Sequence, residues 1–214
     1  MRENQIVRRT ICIAIAILIA GITTGMMMER SFWNVEAKMA VTQQKLAEEV
    51  LRFHVLANSD SKKDQALKMK VKEAIISYMK EEIPHAQSVD EAKKWTSSHE
   101  KELETVARKV IAEEGYDYDV KVKLATSYFP DKTYGDVTFP SGYYEALRIE
   151  IGEADGHNWW CVLYPNLCFI DAVHAVVPEE GKQELKSVLE EDEYEMVTAT
   201  SKFKIKWFFR RDKN

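Results

Sequence analysis

The chain has 214 residues, with 30 lysines and arginines against 35 aspartates and glutamates, and its formal net charge is −5 at pH 7. A negatively charged protein repels the phosphates of nucleic acids and of anionic lipids, so the composition argues against both as partners. The residues from 51 onward are numerous enough for one domain with a hydrophobic core and leave little room for a second.

An apolar stretch near the N-terminus has the length of a membrane span. Residues 11–28 contain no charge, and three arginines precede them. As a helix the stretch rises about 27 Å, close to the roughly 30 Å hydrocarbon core, and the positive flank places residues 1–10 in the cytoplasm. Thr23 and Gly25 are a poorer cleavage site than Ala-x-Ala, so we favour an uncleaved anchor over a signal peptide.

Two long helices are predicted after a helical stalk. The stalk covers residues 29–50, and the exported domain covers residues 51–214. Apolar residues alternate over Leu51–Ala57 and predict a strand before the first helix.

Capping patterns mark the start of each long helix. Ser61 is followed three positions later by Asp64, and the apolar stripe that begins there ends before Pro84. Ser88 starts the second helix, which Gly115 ends in the position that favours a left-handed residue.

Beyond Gly115 the spacing of apolar residues changes from the helical period of 3.6 residues to the strand period of 2 residues, which predicts strands. Pro140–Gly142 reads as a hairpin turn, and a short helix follows from Pro178 to Leu189. The segment Trp159–Tyr164 is apolar on both faces and is predicted to be a central strand. The predicted strands are Tyr118–Leu124, Tyr134–Phe139, Tyr143–Ile151, Trp159–Tyr164 and Lys202–Trp207. The fold class is therefore α+β: a single domain with a mostly antiparallel sheet and the two long helices on one face.

Sequence motifs of the common enzyme classes are not found. The chain contains no D-[ST]-G, G-x-S-x-G, H-E-x-x-H, Walker or G-x-G-x-x-G pattern. The absence of these motifs argues against the common enzyme classes. We therefore expect no catalytic residue, metal or cofactor.

Cys161 and Cys168 allow three interpretations. They form a disulfide across a short loop, which an exported location permits. Alternatively, both are free thiols that pack as small hydrophobic side chains. In the third interpretation they bind zinc with His157 and His174, although this spacing does not match common zinc sites.

Trp159 and Trp160 are adjacent and point to opposite faces if they lie in a strand. An exposed tryptophan beside Tyr164 and Pro165 is a candidate interface hot spot. The alternative is that both tryptophans lie in the core.

Two long segments resemble the stage II sporulation protein R family of endospore-forming Firmicutes. They are L-R-F-H-V-L-A-N-S-D-S-K-K-D-Q-A-L-K-M-K-V-K-E-A-I (Leu51–Ile75) and N-W-W-C-V-L-Y-P-N-L-C-F-I-D (Asn158–Asp171). Phe129–Pro130 and the run Phe139–Leu147 extend the resemblance, which spans most of residues 50–175.

The resemblance implies a signalling protein that is not an enzyme. Members are made in the forespore and cross into the space between the two septal membranes. There they trigger a membrane-embedded aspartic protease of the mother cell, which processes the sigma-E precursor. The resemblance therefore implies that protease as a partner and the septal intermembrane space as the location, with the chain either anchored or released.

Residues around the first helix start and in the aromatic segment are the candidate protease contacts. Helix capping and turn formation are the competing explanation for the polar members. The set is Asn58, Ser59, Asp60, Asp64, Gln65, Trp159, Trp160, Tyr164 and Pro165.

Two other functions remain as alternatives. One is an extracytoplasmic thiol or metal enzyme that uses Cys161 and Cys168. The other is an envelope module that binds peptidoglycan through its aromatic side chains.

Overall fold

The computed structural model describes residues 2–80, 86–169, 177 and 179–198. The chain divides into two compact units, Met1–Thr42 and Gln43–Asn214. Helix α1 runs from Arg2 to Glu49. Among the described residues, Cys12–Arg30 is the one helical stretch long and apolar enough to cross a membrane, and it is exposed throughout. The predicted N-terminal apolar helix is thus confirmed.

The second unit is built on a four-stranded mixed sheet. Its strands lie in the order β2, β5, β1, β6, and a separate hairpin pairs β3 with β4. β1 is parallel to β5, whereas the β2–β5 and β1–β6 pairings are antiparallel. The α+β class with a mostly antiparallel sheet is confirmed. The strands are β1 (Leu51–Leu56), β2 (Val120–Phe129), β3 (Lys132–Tyr134), β4 (Val137–Phe139), β5 (Gly142–Ile151) and β6 (Asn158–Tyr164).

Helix starts follow the predicted capping residues. Ser61 Oγ accepts a hydrogen bond from the Asp64 N–H at 3.1 Å, and Ser88 Oγ accepts one from the Glu91 N–H at 3.2 Å. Each bond satisfies a backbone donor that has no partner within its helix. The described helices of this unit after α1 are α2 (Lys62–Met79), α3 (Val89–Ser98), α4 (Glu100–Glu113), α5 (Glu179–Val188) and α6 (Glu191–Thr198), with a 3-10 turn at Leu167–Phe169.

The predicted second long helix is wrong in one respect, because it is broken into α3 and α4. His99 lies outside helical geometry, with φ −112° and ψ 15°. The Ser98 hydroxyl donates to the Trp95 carbonyl at 2.8 Å, and the His99 ring stacks on Trp95 at 4.2 Å. Side-chain bonds to the preceding turn compete with helix continuation, which explains the break.

A hydrophobic core fills the space between the sheet and helices α2 to α4. The inward-facing residues of all four strands contribute to it, so the packing of the two long helical regions on one face is as predicted. Members include Phe53, Val55, Leu67, Val71, Ile75, Leu103, Ala107, Ile111, Val122, Ile149 and Leu163.

The opposite face of the sheet is also covered, which the sequence pattern did not predict. A second core of buried residues lies there and includes Leu46, Val50, Phe129, Val137, Phe139, Tyr144, Val162, Leu185 and Val197. Every residue of β1 is consequently buried, including Arg52 and His54. The alternation of polar and apolar residues in β1 therefore does not mark a solvent-facing side.

Two strand predictions are wrong. The segment Trp159–Tyr164 lies in β6, at the edge of the sheet formed by the described strands, while β1 and β5 occupy its centre. The predicted hairpin across Pro140–Gly142 does not form, because β4 pairs with β3 and β5 pairs with β2 and β1. Gly135, at φ 59°, supplies the two-residue turn between β3 and β4. The predicted strand Lys202–Trp207, together with Pro84, His174 and Pro178, lies outside the described residues.

Candidate functional site

Two loops that are far apart in sequence meet where the parallel strands β1 and β5 end. The Asp155 N–H donates to the Asn58 carbonyl at 3.3 Å, and the Gly156 N–H donates to the Ala57 carbonyl at 2.9 Å. Gly152 has φ +59°, and a Cβ there would overlap the Asn58 side chain. Glycine is therefore required for the close approach. We call the result the polar corner; its side chains are Asn58, Ser59, Asp60, Asp64, Gln65, Lys68, Tyr118 and His157.

The carboxylate of Asp64 is the centre of the polar corner. It accepts hydrogen bonds from Ser59 Oγ at 2.5 Å, from Asn58 Nδ2 at 3.0 Å and from the Tyr118 hydroxyl at 3.2 Å. Asp64 is 5% exposed. The Ser59 and Asn58 bonds hold the pKa of Asp64 below its usual range. Asp64 thus joins the β1–α2 loop to α2 and to the chain before β2.

A buried lysine joins the same loop to β6. Lys68 Nζ donates to Gln65 Oε1 at 2.5 Å and to the His157 carbonyl at 2.9 Å. Gln65 Nε2 in turn donates to the Ser59 carbonyl at 3.0 Å. Burial lowers the pKa of Lys68. The Lys68 and Gln65 side chains are therefore fixed by neighbours within the corner.

Asp60 and His157 form the solvent-facing part of the corner. Asp60 Oδ1 accepts the His157 N–H at 2.6 Å and lies 2.5 Å from His157 Nδ1. The side chains of Asp60 and His157 are 55% and 82% exposed. The His157 side-chain and backbone bonds lower the pKa of Asp60. This pair is the part of the corner that a partner can reach.

The two tryptophans lie on opposite faces of β6. Trp159 contacts Phe53 edge-on at 5.5 Å between ring centroids, and Lys72 Nζ lies 5.2 Å from its ring. Trp160 stacks on His54 at 5.1 Å on the other side of the sheet. Trp159 is only two positions from His157, so one half-buried tryptophan adjoins the polar corner.

The remaining predicted site residues are buried. Tyr164 is 6% exposed and Pro165 is also buried, so neither is part of the accessible surface. Cys161 and Cys168 are free thiols that pack against the same core.

Residues 47–174 match the family described as stage II sporulation protein R. The chain belongs to this family. It is also 34% identical over 182 residues to the stage II sporulation protein R of Bacillus subtilis (strain 168), which covers 84% of this chain and 80% of the relative. No solved structure matches the chain. The family match contains the whole polar corner and both cysteines of the aromatic segment.

Three residues of the polar corner, Lys68, Tyr118 and His157, are not among the contact residues predicted from the sequence. Lys68 lies within the predicted first helix and Tyr118 begins a predicted strand, whereas His157 was considered only as a zinc ligand. The one sequence feature that could have marked His157 as a site residue is its position directly after the Asp155–Gly156 turn. A sequence cannot show that this turn lies against Asp60, because the contact spans 97 positions.

Replacing Asp64 with alanine is expected to reduce the free energy of unfolding by about 3–4 kcal/mol, because three buried or half-buried donors lose their acceptor. The lowered pKa means that this contribution is complete above the ordinary aspartate pKa of about 3.9 and is lost as pH falls through the folded-state pKa. Urea unfolding measures the change, with exposed Asp60→Ala as the matched control. Equal losses in both variants would contradict the assignment of Asp64 as the centre.

Proposed function

We propose that this chain is a non-enzymatic signalling protein of endospore formation. It is exported from the forespore into the septal intermembrane space, where it activates the membrane-embedded aspartic protease of the mother cell. That protease then processes the sigma-E precursor. The observation that carries the proposal is family membership across residues 47–174, supported by the N-terminal apolar helix.

The polar corner lies at one end of the two central strands of the second unit. The second unit begins at Gln43, whose side-chain amide lies against Gly142 at the start of β5. β1 and β5 run parallel from that end and finish at the polar corner. The ten residues of β5, Gly142–Ile151, span roughly 33 Å. The corner is thus at the end of the sheet opposite Gln43, and this end of the second unit is the proposed contact.

The polar corner also has the rigidity that an activator needs. An activator shifts a protease toward its active state only by the difference between its affinities for the two states. Bonds within the corner already fix Asp64, Lys68 and Gln65, so little side-chain entropy is lost when Asp60, His157 and Trp159 are bound. Asp60, His157 and Trp159 are the proposed contact residues, and the other members position them.

Co-expression in a non-sporulating host tests the function. The host receives the protease, the sigma-E precursor and this chain, and precursor cleavage is followed by immunoblot. We expect cleavage only when all three are present. Precursor cleavage that is equal with and without this chain would overturn the proposal.

The contact site is tested by surface variants in the same assay. Asp60→Ala combined with His157→Ala is expected to reduce processing at least tenfold while the melting temperature changes little. Tyr143→Ala is the matched control, because Tyr143 is 70% exposed at the opposite end of β5. Processing that survives the double variant, or that falls equally in the control, rules out the polar corner as the contact. Loss of folding together with processing would do the same.

A further inference from the structure

Two rows of cross-strand neighbours on one face of the four-stranded sheet carry an excess of positive charge. In the first row Lys123 lies opposite Arg148, and Arg148 lies beside His54. In the second row Lys121 lies opposite Glu150. Cross-strand partners point to the same face of a sheet, and positions two apart on one strand do so as well. All five side chains therefore lie on the face that carries His54 and the second core.

The acid in the second row does not cancel the positive charge that solvent meets. Glu150 Oε1 lies 2.5 Å from Arg148 Nε and 3.4 Å from Lys123 Nζ. The Glu150 side chain is 15% exposed, whereas that of Lys123 is 48% exposed. A further ammonium group, Lys132 Nζ, lies 5.9 Å from the ring of Trp160, which follows His54 in the first row. We call this group the basic face; its members are Lys121, Lys123, Lys132 and Arg148.

The basic face is unfavourable in the chain by itself. Like charges directly opposite each other, such as Lys123 and Arg148, destabilise a sheet. Both ring nitrogens of His54 and Oδ1 of Asn158, at the end of the second row, are buried and have no hydrogen-bond partner in the part of the chain that the structure describes. A buried polar atom without a partner is costly, and a ligand that supplies the partner removes this cost. The two rows thus have charge and hydrogen-bonding capacity for a ligand.

Acidic residues beside the basic face limit the kind of ligand that fits. Asp119, Glu153 and Asp155 are exposed in the segments that precede β2 and follow β5, next to the second row. A membrane surface or a nucleic acid covers a broad area and would be repelled by these carboxylates. A single extended protein segment is narrow enough to avoid them. Its alternate side chains are about 7 Å apart, which is the spacing of Lys121 and Lys123 along β2.

We propose that the basic face docks an extended segment of a protein partner that carries carboxylates at alternate positions. The two rows span about 14 Å across the strands and about 7 Å along them, far less than the roughly 800 Å² per partner of a standard interface. The segment is therefore one part of a larger contact. Asn158 directly follows His157, so the basic face continues from the polar corner. That the partner is the protease rests on the proposed function, whereas the chemistry of the segment does not.

Peptide binding to the full-length chain in detergent tests the proposal. The probe is a rhodamine-labelled peptide in which glutamate alternates with threonine, and its control has glutamine in place of each glutamate. We expect fluorescence anisotropy to show saturable binding of the glutamate peptide that weakens as salt is added. Lys121→Gln combined with Lys123→Gln is expected to weaken binding about tenfold. Lys94→Gln combined with Lys101→Gln is the matched control, because these lysines are exposed on α3 and α4.

Carbodiimide coupling then locates the bound peptide, because it joins an ammonium group to a carboxylate in contact with it. We expect peptide mass spectrometry to find the glutamate peptide linked to Lys121 or Lys123. Equal binding of the glutamine peptide, equal losses in the two double variants, or tighter binding of a polyphosphate of equal charge would contradict the proposal.

The result is separable from signalling. A chain that binds no glutamate peptide but supports precursor cleavage would reject the basic face and keep the proposed function. A chain that binds the peptide at Lys121 or Lys123 but does not support cleavage would keep the basic face and reject the function. Both double variants remove only exposed charge, and an unchanged melting temperature confirms that each has folded.

Discussion

Arg52→Ala is expected to lower the free energy of unfolding by about 3–5 kcal/mol, whereas Arg52→Met is expected to remain within about 1 kcal/mol of the parent. Arg52 is fully buried in β1, and its guanidinium carbon lies 4.4 Å from the Phe129 ring centroid and 4.9 Å from that of Tyr144. Nε donates to the Cys161 carbonyl at 3.1 Å, and Nη2 donates to the Tyr134 hydroxyl at 3.2 Å.

The difference between the two variants follows from what each removes. Alanine leaves a cavity among the aromatic rings and two acceptors without their donor. Methionine fills the cavity and removes a desolvated charge whose Nη1 has no hydrogen-bond partner among the described residues. Losing that charge offsets the lost bonds. Urea unfolding of both variants measures the effect, and a methionine loss as large as that of alanine would show that the two hydrogen bonds outweigh packing.

The second unit is expected to lose stability as pH falls below 6.5, because His54 cannot take up a proton while folded. Burial, and next the charge of Arg148, lowers the pKa of His54 from 6.5 to about 3. Below pH 6.5 the unfolded chain binds a proton that the folded chain does not. The contribution of neutral His54 is therefore complete above 6.5 and is lost between 6.5 and about 3, at about 1.4 kcal/mol per pH unit.

Urea unfolding between pH 7 and pH 4.5 measures this slope, in a range above the ordinary aspartate pKa. His54→Leu replaces the imidazole with an apolar side chain of similar volume against Trp160 and is expected to flatten the curve. His157→Leu is the matched control, because it removes an imidazole that is 82% exposed and lies outside the core. A slope that persists in His54→Leu would assign the pH dependence to other groups.

The features that could be predicted from the sequence depend on short-range interactions. Ser61 and Ser88 cap their helices through bonds to residues three positions away. Trp159 and Trp160 face opposite sides because neighbours in any strand do. Helix capping and the alternation of side chains along a strand do not depend on the tertiary fold.

The features that could not be predicted depend on which distant segments pair. β1 is sandwiched between two cores, so Arg52 and His54 in its alternating pattern are buried. The residue pattern of such a strand is the same as that of a strand with one solvent-exposed face. The polar corner has the same origin: capping accounts for Ser61 and Asp64, whereas the contact of Asp60 with His157 depends on the antiparallel pairing of β1 with β6, in which Leu56 lies opposite Asn158.

The parallel pairing of β1 with β5 also bears on when the domain folds. Phe53 lies beside Leu147, and Arg52 bonds to a residue 109 positions later, so the centre of the sheet consists of contacts between the beginning and end of the domain. High contact order of this kind delays folding until most of the chain is available. The central sheet therefore cannot form until the ribosome has synthesised the chain as far as β6.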